Sequence, residues 1–166
     1  MKKSVVAGLL LATVCATAAM AGVIEDRQAI MKDFNTASRT LNGMAQGTVP
    51  FDQAAARVQL QLIVDGSAKL PTLFPAGSDQ STDTVKTLAL PAVWSDTPGF
   101  TAAAAKISAD AKAAMAATDA ASFKVAFQAV QGDCGGCHRT YRAAPPRPAG
   151  APGGGPGGGP GRGPAQ

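Results

Sequence analysis

The first amphipathic pattern in the chain covers residues 24–44. Its apolar positions recur mostly at spacings of three and four, the period of a helix with one buried face. These positions are Ile24, Ile30, Met31, Phe34, Ala37, Leu41 and Met44. Gly43 and Gly47 weaken the end of the pattern, and Pro50 prevents its continuation. The pattern therefore predicts a first helix that ends before Pro50.

A second helix is predicted from Asp52, which can act as its N-cap, to about Lys69, and Pro71 ends it. The side chains expected on its buried side are Ala55, Val58, Leu62 and Ile63. Residues 71–97 then break the helical period with prolines, a glycine and a Ser/Thr/Asp cluster. We expect this segment to be a long crossover. The side chains expected to hold it against the core are Phe74, Leu88, Leu90, Val93 and Trp94.

Two more helices are predicted in the second half of the chain. Thr97 and Pro98 are expected at the N-cap and first helical position, before an alanine-rich run from Phe100 to Ala117 with very high helix propensity. Asp119 can cap the fourth helix. Its core seam has spacings of four, three, four, three and four, at Phe123, Phe127, Val130, Cys134, Cys137 and Tyr141. Two cysteines therefore continue the core seam.

The segment Cys134-Gly135-Gly136-Cys137-His138 matches the pattern of c-type haem attachment, in which two thiols bind the vinyl groups and one imidazole binds the iron. At about 100° per residue, the three reactive side chains fall within an arc of roughly 100° on a helix. One helix face would therefore present all of them to one flat ligand. The motif predicts one covalently attached haem c per chain.

Three other kinds of site share part of this pattern. A structural zinc site needs four nitrogen or sulfur ligands, and the chain has one histidine and three cysteines, of which Cys15 lies in the predicted leader. A thioredoxin-like redox pair would follow a strand, and no strand pattern precedes Cys134. A plain structural disulfide is permitted in an oxidising compartment, but it gives His138 no role.

The N-terminus has the pattern of a secretory signal peptide over residues 1–21. Lys2 and Lys3 precede an apolar run at 5–14, and Ala19-Met20-Ala21 provides a small-x-small cleavage site. The apolar run is shorter than the ~20 residues that a membrane span requires. We therefore expect a periplasmic protein with no stable membrane insertion after cleavage.

Composition and charge restrict the remaining function classes. The 166-residue chain has a single tryptophan and a single tyrosine and is rich in alanine, which favours packed helices in one domain. The formal net charge is +4, but two lysines belong to the leader and two arginines to the C-terminal segment, so residues 22–142 are near neutral. No nucleic-acid footprint is present. Residues 143–166 are dominated by glycine and proline, which predicts a disordered tail.

With the helices placed, the chain resembles the class II c-type cytochromes of the cytochrome c′ kind over nearly all of residues 23–142. Besides the haem motif, the resemblance rests on Arg27-Gln28-Ala29-Ile30-Met31, on Leu73-Phe74-Pro75 and on Ala89-Leu90-Pro91-Ala92-Val93-Trp94. It implies an all-α fold, an antiparallel four-helix bundle with haem bound near the C-terminal helix. The glycine-proline tail departs from the family pattern.

The resemblance also implies roles for individual residues. Cys134 and Cys137 correspond to the thioether attachments, and His138 to the proximal iron ligand. Arg27 corresponds to an arginine near a haem propionate. Arg142 corresponds to a basic residue beside the proximal imidazole, although an arginine in the last turn is also favoured by the helix dipole.

Met31 corresponds to the position that faces the distal side of the haem in this family. A coordinating thioether would give a six-coordinate iron suited to electron transfer, whereas an open site would bind small gases. The leading hypothesis is a periplasmic monohaem electron carrier, and the alternative is a five-coordinate cytochrome c′ that binds nitric oxide or carbon monoxide. A third hypothesis is a helical protein without haem. No catalytic constellation is visible, so we do not expect an enzyme.

The expected partners of an electron carrier are redox proteins, whose identity the sequence does not give. Members of the family are often dimers through their first two helices. A homodimer is therefore the oligomer that the resemblance implies, although no apolar seam in the sequence indicates one.

Overall fold

Four long helices, one short helix and one 3₁₀ turn make up the helical structure of the described residues. The computed structural model describes the backbone of residues 3–81 and 85–144 and the side chains of residues 22–81 and 85–144. The helices are α1 (Lys3–Ala45), α2 (Gln53–Lys69), α3 (Ala92–Ser95), α4 (Thr97–Ala114) and α5 (Ala120–Tyr141), and the 3₁₀ turn is Leu70–Leu73. The side chains of the predicted leader, and the predicted tail beyond residue 144, lie outside the described residues.

The four long helices form an antiparallel bundle, which confirms the predicted fold class. Short connections at 46–52 and 115–119 make α1 and α2, and α4 and α5, antiparallel neighbours. Helix α2 packs extensively against α4, and α4 against α5. Helices α1 and α5 are also neighbours. In the described part of the chain, their contact is the least extensive among the pairs of neighbouring long helices.

The core consists of two apolar clusters arranged along the bundle. The first cluster holds most of the buried side chains of α1, α2, α4 and α5, including the parallel ring pair Phe123 and Phe127. The second cluster comprises Leu70, Val93, Phe100 and Tyr141. Ile30, Met31 and Cys137 are partly buried and pack against both clusters. These three residues define what we call the boundary layer.

Helix α2 begins as predicted, but only part of its predicted buried face is correct. The Asp52 carboxylate accepts a hydrogen bond from the Ala55 N–H at 3.0 Å, which confirms the N-cap. Ile63 is buried as predicted, and the half-buried Ala55 packs against the first cluster. Val58 and Leu62, however, are 60% and 45% exposed. The side chains that face the core are Ala56, Leu60, Ile63, Val64 and Ser67. Apolar residues occur on two faces of this helix, so packing against α1 and α4 selects the buried one.

The predicted cap of α4 is also wrong by one residue. Asp96, not Thr97, is the N-cap, and its carboxylate accepts from the Gly99 N–H at 3.1 Å. Thr97 is the first helical residue, and its hydroxyl donates to the Trp94 carbonyl instead. The ionised carboxylate is the stronger acceptor for free N–H groups at a helix start. The helix ends at Ala114, three residues before the end of the alanine-rich run.

The predicted cap of α5 is confirmed. The Asp119 carboxylate accepts hydrogen bonds from the N–H groups of Ala121 and Ser122, both at 2.9 Å. Helix α5 then carries the predicted seam. Phe123, Phe127, Val130 and Tyr141 are buried, while Cys134 and Cys137 are partly buried between them in sequence.

The crossover contains structure that the sequence did not predict. Helix α2 ends at Lys69, and Pro71 lies in the 3₁₀ turn that follows. The short helix α3 was not predicted. Among the side chains expected to hold the crossover, Val93 is buried and the other four are half-buried. The Trp94 indole N–H donates to the Pro75 carbonyl at 3.2 Å, and the Phe74 ring lies 4.8 Å from the Phe100 ring.

Within the described residues, no helix combines the length and the apolar character that crossing a membrane requires.

Candidate functional site

The last turns of α5 bring the three groups of the haem motif to one side of a single helix. Cys134 and Cys137 are half-buried free thiols. Cys134 packs against the first cluster, and Cys137 lies in the boundary layer. His138 is an exposed residue next to Cys137. Because the segment is helical throughout, the three side chains share one arc of the helix, as the sequence predicts.

Burial sets the protonation of these groups. It raises the pKa values of Cys134 and Cys137 above the ordinary thiol value, so both remain thiols at neutral pH. The pKa of His138 is lowered, first by partial desolvation and then by the positive charge of Arg142. A neutral imidazole is the form that binds a metal ion. The donor set therefore suits covalent haem attachment and axial ligation of iron.

Met31 lies in the boundary layer, as Cys137 does. It is half-buried and packs against both clusters. One turn earlier on α1, Arg27 is buried. The structure thus brings the first-helix methionine to the same level of the bundle as the haem motif.

The Arg27 guanidinium connects α1 to the crossover. Its Nε–H donates to the Leu73 carbonyl at 2.5 Å, and one terminal nitrogen donates to the Ser78 carbonyl at 3.0 Å. The other terminal nitrogen donates to the Ser78 hydroxyl. The guanidinium carbon lies 3.9 Å from the centre of the Phe74 ring, close enough for a cation–π contact.

Arg27 carries a positive charge in an unusually buried position. The residue is 6% exposed, and desolvation lowers its pKa to about 10. Its hydrogen bonds to Leu73 and Ser78 go to neutral oxygens, and among the described side chains the salt bridges are those of Lys106. A buried cation without an anionic partner is costly. Arg27 can therefore accept an anionic group that is brought to this end of the bundle.

Ser78 is a partner of Arg27 that sequence reasoning missed. It is fully buried, and its hydroxyl donates to the Pro75 carbonyl at 2.7 Å. The turn between these residues depends on Gly77, whose φ of +82° is unfavourable for other residues. The Pro-x-Gly-Ser pattern is a turn signal, but nothing local to it indicates that the hydroxyl receives an arginine from α1.

The end of α5 is held against the crossover and α4. The N–H of Leu90 donates to the Tyr141 carbonyl at 3.0 Å, and the N–H of Ala143 donates to the Leu88 carbonyl at 2.8 Å. The Tyr141 hydroxyl donates to the Asp96 carboxylate at 2.8 Å. Arg142 follows as an exposed residue, near enough for its charge to lower the pKa of His138. These bonds fix the helix end that carries the haem motif.

A cavity of about 420 Å³ lies beside Gly136 and Cys137 on the side of α5 that faces α4. Lys106 and Asp133 line it and form an ion pair of 3.0 Å, and Lys106 also pairs with Asp110 at 2.7 Å. The hydrogen bonds to the two aspartates raise the pKa of Lys106. Arg139 also lines the cavity, so charged groups of both signs and solvent reach this flank of the motif.

Comparison with known proteins identifies the family of this bundle. The description of the matching family is Cytochrome C′, and the match covers residues 22–142. The chain belongs to the cytochrome c′ family. As a member of this family of c-type cytochromes it binds one covalently attached haem c per chain, and the cysteines, imidazole and buried cation described above fit that group.

Among the relatives of this member of the cytochrome c′ family, some are named cytochrome c′ and others cytochrome c-556. The cytochrome c′ of Rhodopseudomonas palustris is 39% identical over 139 residues, covering 83% of this chain and 93% of the relative. A cytochrome c-556 of Agrobacterium fabrum is 35% identical over 143 residues, covering 84% and 94%. The solved structure of cytochrome c′ from Rhodopseudomonas palustris matches with a TM-score of 0.68 at 41% identity, over 74% of this chain and 96% of that one.

Proposed function

We propose that this member of the cytochrome c′ family is a periplasmic monohaem electron carrier whose iron is held by His138 and Met31. The observation that carries the proposal is the position of Met31 in the boundary layer, where it packs against the same two clusters as Cys137. A thioether in that layer would hold the iron of a bound haem together with the imidazole of His138. The sequence pattern of residues 1–21 supports export to the periplasm.

Cys134 and Cys137 are the proposed thioether attachments. Both are free thiols on the seam of α5, and each is partly buried against the core. His138, neutral because of its lowered pKa, is the proposed proximal ligand.

Two arginines are proposed to set the electrostatic environment of the haem. Arg27 accepts a propionate, which provides the anionic partner that its buried guanidinium lacks among the described side chains. Arg142 keeps a positive charge beside His138. The haem supplies reversible one-electron chemistry, and the chain sets its burial, ligation and nearby charge. Cys137 is partly buried, and its flank towards α4 is open to solvent. Redox partners are proposed to approach the haem edge from this side.

Covalent attachment is tested by denaturing electrophoresis with haem staining. The wild type is expected to retain its haem under denaturing conditions and in acidic organic solvent. Cys134→Ala and Cys137→Ala are each expected to lose one thioether bond, and the double variant is expected to lose stained haem. A wild type whose haem is extracted completely by acidic solvent would overturn the assignment of both cysteines.

Ligation by Met31 is tested by optical spectra of the haem-loaded protein in both oxidation states. We expect a low-spin wild type that takes up carbon monoxide slowly, because the gas must displace the sulfur. Met31→Ala is expected to be high-spin, to bind carbon monoxide readily and to have a lower reduction potential, since thioether ligation raises the potential. Met44→Ala is the matched control, because Met44 is a buried methionine of the same helix in the first cluster.

The gas-binding alternative gives the opposite result. If the wild type is high-spin at neutral pH and binds carbon monoxide at once, Met31 is a core residue and the protein is a five-coordinate binder of nitric oxide or carbon monoxide. Met31→Ala would then mainly cost about 2–5 kcal/mol of stability, as truncation of a core side chain does.

A further inference from the structure

Ser67 is a buried serine in α2 whose hydroxyl has no partner. The residue is 1% exposed, and its Oγ is the one buried side-chain polar atom of the described residues that makes no hydrogen bond. A serine inside a helix commonly bonds back to the carbonyl four residues earlier, and that bond is not made here. An unsatisfied buried hydroxyl is costly, so its presence calls for a partner.

The position of Ser67 along α2 places it at the level of the boundary layer. Val64, three residues before it, belongs to the first cluster, and Leu70, three residues after it, belongs to the second. Residues three apart lie on the same face of a helix. Ser67 therefore lies between the two clusters, at the same level as Met31 and Cys137, which pack against both.

The contact between α1 and α2 supports this placement independently. A Cβ atom at Gly66 would overlap the ring of Phe34 and lie 3.1 Å from Cγ2 of Ile30. The backbone of α2 thus meets α1 at the turn that contains Met31. The residue next to this contact is Ser67, and its side chain faces the core, as its burial shows.

We propose that the Ser67 hydroxyl is the hydrogen-bond donor of the distal side of the haem, directed to the atom that occupies the axial position opposite His138. In the resting protein that atom is the sulfur of Met31, and when Met31 is replaced it is the oxygen of a bound diatomic ligand. The proposal rests on the haem site of the proposed function. It adds a positioning residue on α2 that neither the haem motif nor the first helix supplies.

The chemistry of the boundary layer makes Ser67 the donor. Ile30, Met31 and Cys137 offer apolar surface and sulfur, and a thioether sulfur is a weak acceptor. A hydroxyl has one O–H to donate, and a low-dielectric interior strengthens the bond. Donation to the axial atom withdraws electron density from the iron, which raises the reduction potential and holds a bound ligand more firmly.

The first arm of the test uses carbon monoxide on the ferrous Met31→Ala protein, in which the axial position is open. Adding Ser67→Ala is expected to raise the C–O stretching frequency in the infrared spectrum. It is also expected to accelerate carbon monoxide dissociation by about two- to tenfold, the range that one net hydrogen bond supports. Ser67→Thr keeps a hydroxyl on the same carbon and is expected to retain the frequency of the Met31→Ala parent.

The second arm uses the protein with Met31 in place. Ser67→Ala is expected to leave the spectrum low-spin and to lower the reduction potential, because the sulfur loses its hydrogen bond. Ser108→Ala is the matched control. Ser108 is a buried serine of α4 beside Ile107 of the first cluster, so its loss removes a hydroxyl outside the boundary layer.

The outcomes separate this proposal from the proposed function. A high-spin wild type would refute ligation by Met31, and the carbon monoxide arm is then run on the wild type itself, where it still tests Ser67. Unchanged stretching frequency and dissociation rate in Ser67→Ala, equal to those of Ser108→Ala, would overturn the role of Ser67. That result would assign its hydroxyl to the helix backbone.

Discussion

Arg27 shows how one side chain can serve the fold and the cofactor together. Its fork of N–H groups holds the Leu73 carbonyl and both oxygens of Ser78, while its flat face lies on Phe74. A point-charge ammonium cannot reproduce that planar arrangement. The residue therefore ties the crossover to α1 and leaves its positive charge available to an anion.

This reasoning gives a prediction for Arg27→Lys. The charge is kept but the directed hydrogen bonds are lost, so the free energy of unfolding is expected to fall by about 1.5–3 kcal/mol, the range for hydrogen bonds to a charged group. Denaturant unfolding of the ferric protein measures the change. Arg39→Lys is the control on the exposed face of α1 and is expected to stay within about 0.5 kcal/mol of the wild type. Equal unfolding midpoints for the two variants would contradict the role of Arg27.

At the scale of elements, the pairing of α1 with α2 depends on a glycine. Gly66 has no room for a Cβ atom because the Phe34 ring occupies that space. Gly132, inside α5, has nothing within 4 Å of the position where a Cβ would stand. Both glycines are therefore helical, but a Cβ atom would be crowded at Gly66 and free of contacts at Gly132.

Alanine at the two glycine positions is expected to change stability in opposite directions. Gly66→Ala forces the helices apart or the ring out of place, which is expected to cost about 1–3 kcal/mol. Gly132→Ala adds a side chain in open space and is expected to stabilise by about 0.4–1 kcal/mol, because it restricts the unfolded chain. Thermal unfolding of both variants tests the pair. A neutral Gly66→Ala would show that the helix contact is looser than the structure indicates.

The start of α5 depends on a carboxylate whose contribution varies with pH. Hydrogen bonds from Ser122, and then from the Ala121 N–H, hold the pKa of Asp119 below its ordinary value of 3.8. A lowered folded-state pKa means that the carboxylate stabilises the fold fully above pH 3.8. That contribution is lost as the pH falls through the lowered folded-state pKa.

Asp119→Ala is therefore expected to lower the melting temperature most at neutral pH. The difference from the wild type should shrink as the pH falls below 3.8 and through the lowered folded-state pKa of Asp119, where the carboxylate of the folded protein becomes protonated. Asp119→Asn keeps a neutral acceptor, so its melting temperature is expected to lie between the two at neutral pH. A difference between wild type and Asp119→Ala that stays constant from neutral pH to pH 3 would show that the charge contributes nothing to the cap.

At the scale of the whole molecule, exposed apolar side chains on the outer face of α2 are relevant to the oligomeric state. Val58 and Leu62 lie four residues apart and are both exposed. The resemblance to cytochromes c′ implies dimers through the first two helices, and this apolar pair lies on one of them. A homodimer that covers Val58 and Leu62 is therefore the oligomer we expect.

Sedimentation velocity of the haem-loaded protein tests this expectation. The wild type should sediment with the mass of two chains, and the double change Val58→Asp and Leu62→Asp should shift it to the mass of one, because charges would be buried at the interface. Val125→Asp is the control, since Val125 is 70% exposed on α5. A dimeric double variant would place the interface elsewhere, and a monomeric wild type would refute the dimer.

Local patterns in the sequence determined much of this protein. The four long helices follow from apolar spacing, and the caps Asp52 and Asp119 follow from the preference of carboxylates for helix starts. The haem motif needs five consecutive residues on one helix, so its chemistry is readable without the fold. These features are predictable because each depends on interactions within a few residues along the chain.

The tertiary structure decided the features that depend on distant contacts. It selected the buried face of α2 and exposed Val58, because packing against two other helices outweighs the apolar pattern of one. It buried Arg27 against a turn 51 residues away in sequence, and it left Ser67 without a partner at the level of Met31. A side chain's type is written in the sequence, but its burial and its partners follow from which elements meet around it. The ligands and charges that set the properties of a haem therefore depend on how the helices pack.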